Sequence, residues 1–405
     1  MNLSLENSEK NLEANLQITG SKSESNRLLI LQALYPNISI SNLSNSDDSV
    51  VMKAALEKGN GLIDIHHAGT AMRFLTAYFS CKEGCEVTLT GSARMKERPI
   101  KLLVDALKSM GADISYLENE GCPPLQIKGK KLEAPSVKLA ANVSSQYISA
   151  LMLIGPSLPQ GLEIILEGQV TSTPYILMTL EILKQAGLNG SFKNNRIYIE
   201  PKVDVENVSI PVESDWSSAS YFYSICAIAE SANIKLSNYK KESKQGDSCL
   251  AEIYRQFGVK TIFSENSIEL IKEKGPYSRC LREDLRNSPD IAQTIAVTCL
   301  ALGRECILTG LHTLKIKETD RLLALKNEME KFGAQVKITD DSLHLLPCKS
   351  LKEGVEIETY NDHRMAMAFA PLALKTKITI KDANVVSKSY PDFWEDFKKL
   401  GFKGQ

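Results

Sequence analysis

Two carboxylates stand among cations along this chain in a way that could move protons. Asp290 follows a proline in Ser288-Pro289-Asp290, and Glu318 lies between Lys317 and Thr319 with Lys315 and Arg321 close by. In a cationic setting a carboxylate stays ionised unless strongly desolvated, so each is available as a proton acceptor. Further cations fall in short groups: Lys22 with Arg27, Arg73, Arg94 with Lys96 and Arg98, His363 with Arg364, and Lys388 ahead of Ser389-Tyr390-Pro391. Such groups beside hydroxyl and amide donors suit more than one phosphate or carboxylate. Gly69 fits the same chemistry, because a residue without a side chain lets backbone N–H groups approach an anion. Structural roles are open for both acids. Asp290 could cap a helix beginning near Ile291, and Glu318 could belong to the first turn of a helix over 318–333.

The elements that would position these groups repeat. Six segments share a Ser, Thr, Asn or Gly cap, a charged or amide residue, and then a helix rich in small apolar residues. They begin at Gly20-Ser21-Lys22, Ala68-Gly69-Thr70, Val143-Ser144-Ser145-Gln146, Ser214-Asp215-Trp216-Ser217, Ser288-Pro289-Asp290 and Asn361-Asp362-His363. From the second onward they recur at roughly 70 to 75 residues. In the last, Asn361 is the expected N-cap, and His363 and Arg364 fall in the first turn of a buried helix. Free N–H groups make that end positive, so two cations there call for an anion.

A second helix type alternates with the first and ends on a glycine suited to a left-handed cap, at Gly59, Gly111, Gly187, Gly258, Gly333 and Gly401. Over 318–333, Leu322, Leu325, Met329 and Phe332 recur at spacings of three and four, the pattern of an amphipathic helix. Strands are expected at 86–90, 162–166, 196–199, 267–271, 306–309 and 376–380. The first unit is about 20 residues short between Gly59 and Gly69 and should lack a strand or hairpin. An α/β protein of six units in two groups of three follows, with a boundary near Pro211 to Ser214. The repeat leaves the pairing of the N-terminal strand open.

Composition narrows the function. The 405 residues are 43% hydrophobic with a net charge of −1, which suits globular cores and argues against a general nucleic-acid or membrane-surface binder. The nine cysteines are scattered without a Cys-x-x-Cys pair, so reduced structural thiols are expected. No apolar run spans a membrane and the N-terminus does not read as a signal peptide; the expectation is a soluble cytoplasmic protein. P-loop, Gly-x-Gly-x-x-Gly and Gly-x-Ser-x-Gly motifs are absent. His66, His67 and His312 stand apart in sequence from suitable carboxylates and His344 sits in a strand-like run, so no metal is expected.

The motifs Gly20-Ser21-Lys22-Ser23-x-Ser25-Asn26-Arg27, Ala68-Gly69-Thr70-Ala71-Met72-Arg73, Arg94-Met95-Lys96-Glu97-Arg98-Pro99, Ser144-Ser145-Gln146, Lys317-Glu318-Thr319-Asp320-Arg321 and Tyr360–Met367 closely resemble those of the 3-phosphoshikimate 1-carboxyvinyltransferase (EPSP synthase) family, in the family's order and over almost the whole chain. The resemblance implies six βαβαββ units in two domains, 21–212 and 1–20 with 213–405, and an active site in the cleft between them. It implies transfer of the enolpyruvyl group of phosphoenolpyruvate to the 5-hydroxyl of shikimate 3-phosphate, with release of phosphate. The two substrates carry about five to six negative charges, which a ring of Lys and Arg would neutralise. No cofactor, nucleic acid or membrane partner is implied, and a monomer is expected.

By the same resemblance, Lys22, Ser23, Arg27, Ser144, Ser145, Ser172, Tyr175, Asp290, Thr313 and Lys317 would hold shikimate 3-phosphate. Lys22, Gly69, Arg94, Gln146, Arg321, His363, Arg364 and Lys388 would surround phosphoenolpyruvate, with Arg321 and Arg364 on its carboxylate. Asp290 would take the 5-hydroxyl proton, while Glu318 with Lys22 would manage the proton at the enol carbon. The chain departs from the family pattern at His67, Phe74, Thr173 and Thr313, where Asn, Pro, Lys and Asn are usual. Gly69 is retained, so the phosphoenolpyruvate competitor glyphosate is expected to inhibit. Two alternatives are a UDP-N-acetylglucosamine enolpyruvyl transferase, whose usual cysteine is missing from the 94–98 loop, and a non-catalytic anion-binding relative.

Overall fold

The computed structural model describes every residue except 8, 10, 141–143, 169, 171, 172, 276 and 405. The chain forms two compact units, one continuous (Gly20–Val212) and one split (Met1–Thr19 with Glu213–Gln405).

In the continuous unit three helices, Lys22–Leu34, Gly69–Cys81 and Ser145–Ile154, pack against one another. Their small and apolar faces are buried almost throughout, as in Ala71, Met72, Leu75 and Phe79 of the second. Around them lie two four-stranded sheets. In one, Glu86–Thr90 runs parallel to Gly61–Asp64 and antiparallel to Leu125–Lys128; in the other, Leu162–Glu167 runs parallel to Ser136–Ala140 and antiparallel to Arg196–Ile199. The third sheet has two strands only, Ile38–Ser41 parallel to Val208–Pro211. This is the shortened first repeat, which has room for one helix pair and too little chain for the hairpin.

The split unit repeats the plan with the helices Trp216–Ile228, Ala292–Ala301 and His363–Phe369, and three four-stranded sheets surround them. Two of these sheets take a strand from the N-terminus. Asn11–Gln17 pairs in parallel with Ser231–Ser237, and Leu3–Glu6 lies between Ile378–Ile380 and Lys403–Gly404. Alternation sets the faces, since Leu12 and Leu16 point into the core while Asn11, Glu13 and Gln17 stay exposed. Each unit has its own apolar core.

The alternating helices stop as their chemistry dictates. Gly59, Gly111, Gly187, Gly258, Gly333 and Gly401 have φ of 69°, 102°, 73°, 78°, 91° and 81°, the left-handed conformation a side chain disfavours. The amphipathic helix runs Arg321–Lys331 rather than from 318, because Asp320 caps it by accepting from Leu323 N at 3.1 Å. Leu322, Leu325 and Met329 are fully buried on it, and Phe332 just beyond. Among the described residues all nine cysteines are free, and no helix is long and apolar enough to cross a membrane.

Candidate active site

At the Tyr360–Met367 stretch the local structure corrects the expected cap. Tyr360 and Asn361 take left-handed φ of 52° and 57°, so the helix begins one position later than an Asn361 cap would place it. Asp362, in extended backbone, caps instead by accepting from Arg364 N at 2.9 Å. His363 and Arg364 do occupy the first helical turn, and the His363 ring is buried, with Nδ1 3.8 Å from Asp362 Oδ1.

The anion that this positive helix end calls for comes from the protein itself. Asp362, fully buried, also accepts from Arg321 Nε at 2.6 Å and Nη2 at 3.3 Å. Arg321, 2% exposed, reaches Asp290 Oδ1 at 2.9 Å with Nη1 and Glu318 Oε2 at 2.8 Å with Nη2. Arg364 Nη2 lies 3.2 Å from Asp290 Oδ2, Arg364 Nη1 donates to the Asp290 carbonyl at 3.1 Å, and Lys317 Nζ is 3.5 Å from Asp290 Oδ1. Asp290 therefore gathers two guanidiniums and an ammonium. It sits in the 3-10 turn Pro289–Ile291, and its side chain caps no helix. Burial alone would raise its carboxyl, but Arg364, Lys317 and Arg321 outweigh that and hold it well below the usual carboxylate range. Burial likewise opposes the charge on Arg321 and Arg364, and the facing acids, Asp362 first for Arg321 and Asp290 first for Arg364, more than restore it.

Two further residues join this cluster, Ser217 of the fourth helix start and Asp247, neither of them among the expected site residues. Ser217 Oγ accepts from Arg364 Nη2 at 3.3 Å and donates to Asp247 Oδ2. Lys388 Nζ donates to the Asn361 carbonyl at 2.7 Å, tying the left-handed turn to a cation. Thr313, in the 3-10 turn His312–Ile316, keeps its buried Oγ1 without a hydrogen-bond partner among the described residues.

The continuous unit holds its cations differently. Arg27 is buried against neutral acceptors: Nε donates to Thr179 Oγ1 at 2.8 Å, Nη1 to the Ser23 carbonyl at 2.7 Å and Nη2 to Ser149 Oγ at 2.9 Å. The Phe74 and Tyr175 rings flank it at 5.4 and 5.8 Å, so Phe74, a departure from the family pattern, has a local role in covering this charge. Burial lowers Arg27 to about 10. Its fixed hydrogen bonds position it without neutralising it.

Lys22 Nζ lies 4.0 Å from Asp48. Ser144 caps the Ser145–Ile154 helix, accepting from Gln146 N at 3.4 Å, and Gln146 Nε2 reaches Thr70 Oγ1 at 3.1 Å, joining two helix starts. Gly69 opens its helix, and a Cβ there would meet Arg98 Nη1 at 2.5 Å. Arg94 is more than half exposed and pairs with Glu97 at 2.9 Å. Arg73 turns inward, donating to the Gly69 and Pro99 carbonyls at 3.1 Å each, which makes it a staple of the 94–99 loop and not a free cation. His67 Nε2 lies 3.9 Å from Asp47. Thr173 begins the Thr173–Gln185 helix, Tyr175 follows in its first turn, and Ser172 lies outside the described residues.

The family model for EPSP synthase (3-phosphoshikimate 1-carboxyvinyltransferase) matches residues 54–397. The chain belongs to the EPSP synthase family. A curated 3-phosphoshikimate 1-carboxyvinyltransferase of Bacteroides fragilis (strain YCH46) is 47% identical over 395 residues, 96% of each chain. One of Haemophilus influenzae (strain PittEE) is 36% identical over 430 aligned positions, again 96% of each. Solved structures share the fold at lower identity. An EPSP synthase from Acinetobacter baumannii superposes with a TM-score of 0.80 at 22% identity, covering 100% of this chain and 99% of that one. The enolpyruvyl transferase NikO from Streptomyces tendae gives 0.75 at 14%, covering 100% and 98%. Membership of the EPSP synthase family accounts for the six-unit plan and for the order of the motifs. No group of three or more His, Cys, Asp or Glu among the described residues could hold a metal ion.

Proposed function

We infer that this chain is a 3-phosphoshikimate 1-carboxyvinyltransferase, moving the enolpyruvyl group of phosphoenolpyruvate to the 5-hydroxyl of shikimate 3-phosphate and releasing phosphate. The observation that carries the reading is the seating of two guanidiniums, Arg321 and Arg364, on one carboxylate of Asp290 at 2.9 and 3.2 Å. A substrate carboxylate arriving there competes for both cations. As they shift to the substrate, Asp290 loses the charges that hold its proton affinity down and becomes a better base. Donor binding thus readies the proton acceptor.

Asp290 then takes the 5-hydroxyl proton while that oxygen bonds to C2 of the enolpyruvyl group. C3 gains a proton, giving a methyl group and a tetrahedral intermediate. Removal of a methyl proton restores the double bond as the C2–O bond to phosphate breaks. Glu318, 2.8 Å from Arg321, and Lys22 manage the protons at C3. On the phosphoenolpyruvate side Gly69, Arg94, Gln146, His363 and Lys388 complete the set. Shikimate 3-phosphate is held by Ser23, Arg27, Ser144, Ser145, Ser172, Tyr175, Thr313 and Lys317. Fixed, preorganised cations stabilise the charge that develops, in the manner of oxyanion-hole catalysis. The enzyme works as a cytoplasmic monomer, and glyphosate competes at the phosphoenolpyruvate site.

Mixing the protein with both substrates and measuring phosphate tests this. Release that requires both is expected, and Asp290→Ala should lower kcat by about 10² or more. Silence with shikimate 3-phosphate but turnover with UDP-N-acetylglucosamine would overturn the acceptor assignment, and near-normal turnover of the variant would overturn the role of Asp290.

A further inference from the structure

Asp247 lies on the short 3-10 turn Gly246–Cys249, in a stretch to which the motifs assign no chemistry. Its carboxylate is buried, and Ser217 Oγ donates to Oδ2. The same oxygen accepts from Arg364 Nη2 at 3.3 Å. A hydroxyl has one proton and two lone pairs, so a Ser217 that gives its proton to Asp247 has a lone pair fixed toward Arg364. The other side of Arg364 is held by Asp290, through its carboxylate at 3.2 Å and its carbonyl at 3.1 Å. Arg364 is therefore suspended between two acids, one direct and one through a serine.

We propose that Asp247 is a positioning residue for the donor substrate: through Ser217 it sets Arg364, and it takes up a proton when the donor carboxylate arrives at that guanidinium. The proposal rests on the functional reading above.

Charge balance supports it. Among the described residues whose contacts form the cluster, the cations Lys317, Arg321 and Arg364 face the carboxylates Asp290, Glu318 and Asp362 directly and Asp247 through Ser217. The groups that face Asp247 are Asp290 from its 3-10 turn, Arg364 from the His363–Phe369 helix, Asp215 from the start of the Trp216–Ile228 helix, and the Cys249 thiol on its own turn. Only Arg364 among them is positive, and Asp290 already claims it. Burial first, and then Asp290, push Asp247 up to about 7. A further anion on Arg364 moves it higher. The sign follows: above neutral pH, binding takes up a proton, so donor affinity is full at lower pH and weakens as pH rises. A one-unit upward shift on binding would raise the KM for phosphoenolpyruvate about fivefold between pH 7 and 9. The substrate phosphate, with its second ionisation near about 6, is already ionised over that window.

The test compares KM profiles of the wild type and Asp247→Asn, whose amide oxygen still accepts from Ser217 but cannot titrate. The expected variant has a flat profile from pH 7 to 9, with the effect on KM for phosphoenolpyruvate and not on kcat or on the shikimate 3-phosphate KM. A wild-type-like rise in the variant overturns the proposal, as does an effect confined to kcat. Ser217→Ala removes the hydrogen bond that favours the ionised form, so the wild-type break should move to higher pH; an unmoved break counts against the proposal. A carboxyl-carbon NMR titration of aspartate-labelled protein should show one resonance, missing from Asp247→Asn, that titrates near neutral pH and moves upward on adding phosphoenolpyruvate. If the wild type fails to turn over, the functional reading fails, and this titration decides the role of Asp247 alone.

Discussion

Asp362→Ala removes a group with two structural duties, so its cost can be worked from contacts. Losing the N-cap acceptor for Arg364 N costs about 1 kcal/mol. Removing one partner of a buried ion pair typically costs about 3–5 kcal/mol. Here Arg321 keeps Asp290 at 2.9 Å and Glu318 at 2.8 Å, which places the loss at the lower end of that range. The sum is about 4 kcal/mol. Asp362→Asn keeps an oxygen to accept from one donor and loses the charge, for about half the effect. Urea unfolding followed by tryptophan fluorescence suits the question, because both tryptophans, Trp216 and Trp394, lie in the split unit. With a slope of about 2–3 kcal/mol/M, the Asp362→Ala midpoint should fall by about 1.5 M. A loss below about 1 kcal/mol would show that Asp290 and Glu318 alone neutralise Arg321, and would refute the reasoning.

Three other outcomes follow from the same contacts. Asp290 is held below its unfolded value, so its ion pairs stabilise the fold at pH values above the ordinary aspartate range, and that stability is lost as pH falls toward the folded value; acid titration of unfolding should show this loss in the wild type and a reduced one in Asp290→Asn. Thr313→Val deletes a buried hydroxyl that has no partner among the described residues, and should raise the KM for shikimate 3-phosphate about tenfold while leaving that for phosphoenolpyruvate near its wild-type value; equal changes in both would remove Thr313 from the acceptor site. Gln293, fully buried on the Ala292–Ala301 helix, has neither amide atom hydrogen-bonded among the described residues, so Gln293→Met should raise the unfolding midpoint by the equivalent of about 1 kcal/mol, and a lowered midpoint would indicate partners for that amide.

Much of this architecture could be read from local chemistry. The six helix starts and the six glycine stops are properties of a few adjacent residues, and backbone geometry obeys them. The 20-residue shortfall in the first repeat likewise appears as a two-stranded sheet. What a charge faces is a tertiary matter and was less legible. Arg73 looked like its neighbours in the constellation, yet carbonyls of Gly69 and Pro99 draw it inward. Asp362 stood in view beside His363 and Arg364, but its main partner, Arg321, lies 41 residues earlier. Asp247 carries no motif and lies 30 residues from Ser217 of the fourth helix start, so its place becomes visible only through the hydrogen bonds that join it to Ser217 and Ser217 to Arg364. A surplus of acids over cations near Arg364 was the signal that could have found Asp247. The cap falls on Asp362 and not on Asn361 because two successive left-handed residues pass that role one position onward.

The route of the N-terminus has a consequence for synthesis. Asn11–Gln17 emerges from the ribosome long before Ser231–Ser237, and Leu3–Glu6 needs Ile378–Ile380 and Lys403–Gly404 as neighbours. Domains fold as units, and long-range strand pairing is slow. The continuous unit can therefore consolidate once residue 212 has been made, while Asn11–Gln17 waits for Ser231–Ser237 and Leu3–Glu6 waits, unpaired, for almost the entire remaining chain. During that wait the strand edges of Leu3–Glu6 and Asn11–Gln17 are the part of the nascent protein most open to pairing with the wrong partner.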